Sequence, residues 1–151
     1  RTPSVTVKDS KGKTLKEDVD YTVTMSSGRK NVGKYAVKIT LKGNYTGSKT
    51  LNFTINPPKR GLSKLTAGKK KLTASWKAQK SQTTGYQLLV SSSSKFKSYK
   101  KVTVKSYKTT KTTVSKLSSK KYYYVKMRTY KKVGSTTYYS GWSSVKKVKV
   151  K

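Results

Sequence analysis

The sequence predicts an all-β protein that consists of two tandem β-sandwich domains. Apolar and polar residues alternate with period two in several short segments, as they do in strands with one buried face. Residues 122–130 show this most clearly, and their predicted inner face consists of Tyr123, Val125, Met127 and Thr129. Turn signals rich in Gly, Ser and Asn separate the segments, and the segments of the first half lack the period of a helix.

Residues 1–56 are predicted to form the first domain. Alternation indicates four strands, whose inward residues are Val5 and Val7, then Tyr21, Val23 and Met25, then Tyr35, Val37, Ile39 and Leu41, and finally Leu51, Phe53 and Ile55. Residues 9–12, 26–28 and 43–47 supply the turns between them. This even spacing of strands and turns is typical of a sandwich.

A short linker, residues 57–61, is predicted to follow. It opens with Pro57 and Pro58, which lack the backbone N–H that a strand ladder needs and which stiffen the chain. We therefore expect a semi-rigid joint between two domains at this point.

Residues 62–151 are predicted to form the second domain, with about seven short strands. Their inward residues include Leu72, Ala74 and Trp76, then Tyr86, Leu88 and Val90, and a closing strand carries Val145, Val148 and Val150. A further strand is expected over residues 96–104. Leu117, a short connection and Tyr123 form the pattern of a sandwich corner, in which the tyrosine hydroxyl bonds to the backbone.

Several motifs of the first domain resemble a known module. Pro3-x-Val5-x-Val7, Asp20-Tyr-Thr-Val, Gly43-Asn-Tyr-Thr-Gly and Phe53-x-Ile55 are together similar to the bacterial Ig-like repeats found in large cell-surface proteins of Firmicutes. The resemblance covers nearly all of residues 3–55. It implies a secreted, repeated and wall-associated setting.

The second domain resembles a fibronectin type III domain, in particular the version at the C-termini of secreted clostridial proteins. The motifs are Leu72-x-x-x-Trp76, Gly85-Tyr86, Leu117 with Tyr123-x-Val125-x-Met127, and Trp142-Ser143. One departure is Ser119-Lys120, where the family usually has Pro-Gly before the corner tyrosine. The core residues expected from pattern and resemblance are Trp76, Tyr86, Leu117, Tyr123 and Trp142.

Composition argues against catalysis. The chain has no cysteine and no histidine, so thiol chemistry, zinc–thiolate sites and the commonest general base are absent. The four carboxylates, Asp9, Glu17, Asp18 and Asp20, all lie near the start and are best interpreted as surface turn residues rather than as a paired acid and base or a calcium site. We expect no catalytic residue, no metal site and no cofactor.

The net charge of +33 admits two interpretations. The lysines could form an electrostatic site for a polyanion such as teichoic acid, anionic polysaccharide, nucleic acid or a membrane surface. Alternatively, they are a solvated surface that attracts anions without specificity. No segment indicates a groove-reading helix or an RNA-binding sheet, so specific nucleic-acid recognition is not expected. No apolar run approaches the ~20 residues that a membrane-spanning helix needs.

The outer face of residues 122–130 is the candidate binding face. It combines aromatic side chains with cations, which together can stack on sugar rings and neutralise phosphates. The predicted binding residues are Tyr124, Lys126, Arg128 and Tyr130, with Leu89 and Lys147 from the strands expected to pair on either side. The alternative is that the same residues only stabilise the sheet by cross-strand packing.

Two functions remain open from sequence alone. The first is a non-catalytic spacer, presentation or wall-association module of a larger secreted or wall-associated Gram-positive protein. The second is a specific adhesin that binds a host protein, for example an immunoglobulin, or a glycan. Because the chain begins at Arg1 rather than Met, we expect it to be a fragment whose parent carries a further domain before it, and residues 145–151 have the pattern of a closing strand.

Overall fold

The computed structural model describes residues 2–151 and is all-β in that part of the chain. It contains eleven strands, β1 to β11, and no helix within the described residues. The chain divides into two compact units, Arg1–Ile55 and Asn56–Lys151. The all-β fold class predicted from the alternating sequence is therefore confirmed.

The first unit contains a three-stranded antiparallel sheet. Its strands are β1 (Tyr21–Met25), β2 (Gly33–Leu41) and β3 (Ser48–Ile55), in the order β1-β2-β3. The three segments coincide with three of the four predicted strands. The buried residues Leu15, Tyr21 and Ile39 form its small core, against which Val5 and Val7 pack.

The fourth predicted strand, around Val5 and Val7, is not formed. This segment has only isolated bridges, of which one joins Lys8 to Thr14. The Asp9 carboxylate accepts hydrogen bonds from the backbone N–H groups of Lys11 and Lys13, both at 2.9 Å. This tight turn limits the paired length to a short irregular hairpin, although the two valines still face the core.

The second unit contains two antiparallel sheets. The smaller sheet has the order β4-β5-β8, from β4 (Leu62–Gly68), β5 (Lys71–Trp76) and β8 (Lys111–Ser115). The larger sheet has the order β10-β9-β6-β7, and β11 also pairs with β9. Its strands are β6 (Gly85–Ser91), β7 (Lys100–Val104), β9 (Tyr122–Val133), β10 (Thr136–Tyr139) and β11 (Lys146–Lys149).

A single apolar core joins the inner faces of these two sheets. Tyr123 packs against it, and the predicted inward residues of β5 and β6 and two of those of β9 belong to it: Leu72, Ala74, Trp76, Tyr86, Leu88, Val90, Val125 and Met127. The Trp76 and Tyr86 rings contact each other at a centroid distance of 5.1 Å. Strand β9 alternates as predicted, because Val125, Met127 and Thr129 are buried while their neighbours Lys126 and Arg128 are less so.

Two details of the second unit differ from the sequence prediction. The strand expected over residues 96–104 begins only at Lys100, because Phe96 lies in a turn with a positive φ of 53°. The N–H of Phe96 donates to the carbonyl of Ser93 and closes that turn. The unit also has eight strands rather than seven, because the closing segment is split into β10 and β11.

Two serines stabilise the interruption between β10 and β11. The hydroxyl of Ser140 accepts a hydrogen bond from the backbone N–H of Thr129, and that of Ser143 accepts one from Met127, both at 3.1 Å. The N–H groups of the same serines donate to the carbonyls of Thr129 and Met127. We call residues 140–143 the serine bulge. It satisfies the backbone of β9 where the ladder is broken, as buried polar groups require.

The sandwich corner forms as predicted. The backbone N–H of Ser118 donates to the Tyr123 hydroxyl at 3.0 Å. Lys120 adopts a left-handed φ of 63°, which is uncommon for a residue other than glycine. Its N–H donates to the carbonyl of Val150 at 2.8 Å, and this bond helps to hold the turn.

Residues 57–61, predicted to be a linker, group with the second unit. Pro57 is buried there, and the Thr129 hydroxyl donates to the carbonyl of Pro58 at 2.6 Å. The short proline segment is thus bonded to β9 of its own unit.

Replacing the corner hydroxyl tests its contribution. Tyr123→Phe should lower the free energy of unfolding of the second unit by about 1 kcal/mol, since it removes one hydrogen bond to a backbone N–H. Urea denaturation followed by tryptophan fluorescence reports on this unit, because both tryptophans lie in it. Tyr138→Phe removes a half-buried phenol hydroxyl without that bond and serves as the control. If the two changes lower the free energy of unfolding equally, the hydrogen bond between Ser118 and Tyr123 does not contribute to stability.

A second stability prediction concerns the serine bulge. Ser143→Ala should destabilise the second unit by about 1–3 kcal/mol, because the N–H of Met127 loses its side-chain acceptor. The same change at the exposed neighbour, Ser144→Ala, should have little effect. Chemical denaturation of both variants checks the difference, and a Ser143 variant as stable as the Ser144 variant would show that the bulge does not depend on the hydroxyl.

Candidate functional site

The candidate site lies on the outer face of the larger sheet, where three strands meet. Strand β6 pairs with β9 so that Gln87 lies opposite Arg128 and Leu89 lies opposite Lys126. On the other side of β9, strand β11 places Lys147 opposite Tyr124. The strand pairing expected from the sequence is therefore confirmed, and it brings the predicted binding residues onto one face.

Cations and aromatic rings alternate along this face. Lys126 Nζ lies 4.2 Å from the ring centroid of Phe96 and 5.2 Å from that of Trp142. Arg128 Cζ lies 4.4 Å from the ring of Trp142 and 3.8 Å from that of Tyr139. We call these five side chains the cation–aromatic row. Each cation is attracted by the negative faces of two rings, so the row stabilises itself.

Arg128 is the central residue of the row. Its Nε and Nη2 both donate to Gln87 Oε1, at 2.9 and 2.6 Å. Burial lowers the pKa of the guanidinium from its ordinary value, while Tyr139 and Tyr99 act in the opposite direction. An arginine remains charged under such conditions, so the row holds a fixed, partly desolvated cation.

The predicted binding residues differ in accessibility. Tyr124 and Lys126 are half-buried, and Lys147 is exposed, with its Nζ 5.5 Å from the ring of Tyr122. Leu89 and Tyr130 are instead buried, at 7% and 9% exposure. Leu89 therefore contributes packing beneath Lys126 rather than an open contact surface.

Trp142, predicted in the core, lies on the outer face. It is half-buried, does not belong to the core cluster and contacts Lys126 and Arg128. The reason is the serine bulge, which changes the direction of the chain between β10 and β11. The pair Ser140 and Ser143 around Gly-Trp is the sequence signal that could have indicated this. Phe96 and Tyr139 are further members of the row that the sequence interpretation did not include.

The other predicted core residues lie inside the second unit. Trp76, Tyr86 and Leu117 are buried, and Tyr123 is half-buried at the corner. The Tyr86 hydroxyl accepts from the N–H of Gln79 and donates to the carbonyl of Tyr107, both at 2.8 Å. These bonds assign Tyr86 to structure rather than to ligand binding.

The charge is distributed very unevenly between the units. Of the 37 Lys and Arg residues, 26 lie in the second unit, which has no acidic residue and so carries +26 of the net +33. All four carboxylates lie in the first unit, where Asp9 and Asp20 accept backbone hydrogen bonds. Within residues 2–151, no group of three or more acidic residues could hold a metal ion. The same residues include no helix that could span a membrane.

Comparison with solved structures identifies similar folds. The chain matches the chicken CNTN1 FN1–FN3 domains with a TM-score of 0.52 at 15% identity, over 80% of this chain and 44% of that one. Weaker matches are a β-1,2-glucanase from Parabacteroides distasonis, with a TM-score of 0.49 at 14% identity over 77% of this chain and 17% of that one, and titin domains A168–A170, with 0.44 at 17% over 88% and 50%.

These matches concern the fold alone. The chain has a β-sandwich fold similar to that of the CNTN1 FN1–FN3 domains, and it spans less than half of that structure. No protein-family model matches the sequence. A comparison with curated proteins also gave no match.

A double-mutant cycle tests the cation–aromatic row. Arg128→Met and Trp142→Leu should show a coupling energy of about 1–2 kcal/mol in unfolding, because the contact is partly desolvated. Lys147→Met with Tyr122→Leu, a longer and more exposed pair, should couple by about 0.5 kcal/mol or less. Urea denaturation followed by circular dichroism measures both. Equal coupling in the two cycles would mean that the row adds nothing beyond ordinary surface attraction.

Proposed function

We propose that this chain is a non-catalytic module of a larger secreted or wall-associated protein, which spaces or presents other domains and associates with anionic cell-wall polymers. The observation that carries the proposal is the second unit's charge of +26 without a single carboxylate. Such a surface attracts phosphate-rich or carboxylate-rich polymers at long range. It also repels other copies of itself.

The cation–aromatic row supports a structural role for the outer face. The rings of Phe96, Trp142 and Tyr139 already contact Lys126 or Arg128, so they are engaged within the protein. A sugar that stacked on them would first have to displace these cations. The face therefore favours packing, while the exposed lysines around it provide the attraction for polymers.

The Gram-positive surface setting is supported by the sequence resemblances. The Gly43-Asn-Tyr-Thr-Gly turn and the Trp142-Ser143 motif are similar to modules of Firmicutes surface proteins and secreted clostridial proteins. Under this proposal the parent protein is exported and the present units lie beside the anionic wall. The proline segment, bonded to the second unit through Pro58, would then serve as a short connection between modules.

A specific adhesin is the second candidate function. Its support is the part of the outer face outside the row: Tyr122 is 50% exposed and lies near Lys147 and Lys149. Together with Tyr124, these residues could contact a host protein, such as an immunoglobulin, or a glycan. Binding of that kind should depend on individual aromatic side chains rather than on total charge.

The salt dependence of binding separates the two functions. The chain should bind poly(glycerol phosphate) at low salt and lose at least about a hundredfold in affinity between roughly 50 and 200 mM salt, because binding releases counterions. Tyr124→Ala should leave this affinity unchanged within about twofold. Titration calorimetry with neutral dextran as the control polymer measures both effects.

Pull-down from serum, mucus and purified cell wall at about 150 mM salt completes the test. If a defined protein or glycan is retained and this retention is lost in Tyr124→Ala or Arg128→Met, the adhesin function is favoured over the wall-association function. Absence of polymer binding even at low salt would contradict wall association. Neither result depends on identifying the parent protein.

A further inference from the structure

An open cleft of about 430 Å³ lies at one end of the larger sheet, next to the cation–aromatic row. Strands β6, β7, β9 and β10 supply its walls. The cleft is lined by residues that include Gln87, Thr103, Lys105, Tyr130, Lys132 and Tyr139. Its volume is that of a small-molecule site. Only Tyr130 among them belongs to the binding residues predicted from sequence.

Gln87 directs an unused donor group into this region. Its side chain is 93% buried, and its Oε1 accepts both hydrogen bonds from Arg128. Because both bonds go to the oxygen, the identities of the amide O and N are fixed. Within residues 2–151, Gln87 Nε2 has no protein partner and can donate two hydrogen bonds to a ligand.

Tyr130 provides a second unused group beside it. The side chain is 91% buried, and its hydroxyl packs close to Gly85, yet it makes no hydrogen bond with any described residue. Among the described residues, Trp76 Nε1 is the one side-chain nitrogen or oxygen that is shielded from solvent and lacks a hydrogen-bond partner. The Tyr130 hydroxyl and Gln87 Nε2 are therefore both reached by solvent, and the cleft is the opening that the two residues share.

The Tyr130 hydroxyl is protonated at neutral pH, as phenols ordinarily are. Burial raises the pKa of Tyr130 above its ordinary value, and Tyr139 acts in the same direction. A protonated phenol can donate to an anionic oxygen or accept from a ligand hydroxyl. Because solvent reaches both groups, a ligand that bonds them replaces hydrogen bonds to water, and the net gain per bond is modest.

The rim of the cleft carries positive charge and hydroxyl groups. Lys105 and Lys132 are exposed lysines at its edge, and Thr103 adds a hydroxyl. The aromatic side chain of Tyr139 forms one wall. Since the second unit has no Asp or Glu, no acidic side chain in it competes with an anionic ligand for the two lysines.

We infer that this cleft binds one phosphate-bearing polyol or sugar unit, with the phosphate at Lys105 and Lys132 and the ligand hydroxyls at Gln87 and Tyr130. This inference deepens the proposed association with anionic polymers by giving it a specific subsite. A neutral sugar would leave the lysines unused, and an inorganic anion would leave the polyol contacts empty. Because the cleft is open, one unit binds weakly, and a chain of units gains from attraction to the other lysines of the second unit.

NMR titration of the 15N-labelled chain at about 150 mM salt tests the site. The probes are glycerol 3-phosphate, glycerol, inorganic phosphate and short poly(glycerol phosphate). Glycerol 3-phosphate should shift amide signals near residues 85–87, 103–105 and 130–132 and should bind at least about threefold more tightly than inorganic phosphate. Glycerol alone should not bind measurably.

Two matched double variants decide whether the lysines act as a site. Lys105→Ala with Lys132→Ala should weaken glycerol 3-phosphate at least about tenfold, whereas Lys64→Ala with Lys111→Ala, on the other sheet, should change it by less than about twofold at the same net charge. Tyr130→Phe should weaken binding by about threefold to tenfold. It removes the hydroxyl but leaves the ring, whose Cε1 also lies close to Gly85, in place.

The outcomes separate this inference from the proposed function. Equal losses in the two double variants, or shifts spread over all lysine-bearing surfaces, would overturn the cleft while leaving polymer association by charge intact. Monomer binding that depends on the cleft, without polymer binding at any salt concentration, would support the cleft and overturn wall association. If poly(glycerol phosphate) binds but glycerol 3-phosphate does not, the cleft is likewise overturned as a subsite.

Discussion

The second unit has to accommodate 26 cationic side chains without any carboxylate, and this constraint shapes its surface. Arg128 is held by the amide oxygen of Gln87 and by aromatic faces rather than by an acid. Lys126 lies over the ring of Phe96, and Lys100 Nζ donates to the carbonyls of Ser115 and Lys116. Neutral partners of this kind lower the cost of desolvation but leave the charge itself uncompensated. The unit thus remains strongly attractive to anions.

Strand β9 connects this surface to the core. Its inner residues Val125 and Met127 are fully buried, while its outer residues Lys126 and Arg128 belong to the cation–aromatic row. The serine bulge serves both sides, because Ser140 and Ser143 satisfy the backbone of the strand and place Trp142 over Arg128. Packing and surface chemistry are therefore coupled through one element, and a change in the bulge affects both.

Period-two alternation predicts most of the strands that have one buried face, since burial is a local property of the pattern, but it also predicts a strand around Val5 and Val7 that is not formed. The register of β6 and β11 on β9 followed from the same alternation. What the pattern could not predict depends on contacts made far along the chain. The pattern places Trp142 in the core, but its outward direction depends on the hydrogen bonds of Ser140 and Ser143 to Thr129 and Met127. It likewise places Phe96 in a strand, whereas Phe96 lies in a turn with a positive φ. The cleft is not evident from the pattern, because it depends on how four strands bring Gln87, Tyr130 and the two lysines together.

The fixed charge also bears on how ligand binding and folding are related. Like charges in a compact unit repel one another, so a folded unit of +26 is less stable than a neutral one of the same packing. An anion that binds to the folded lysines relieves this repulsion and stabilises the unit through linkage. Diffuse attraction by the whole surface and ordered contact at the cleft would then act in sequence. Under the proposal, the first would concentrate an anionic chain near the sheet, and the second, through Gln87 and Tyr130, would give preference to units that carry both a phosphate and hydroxyls.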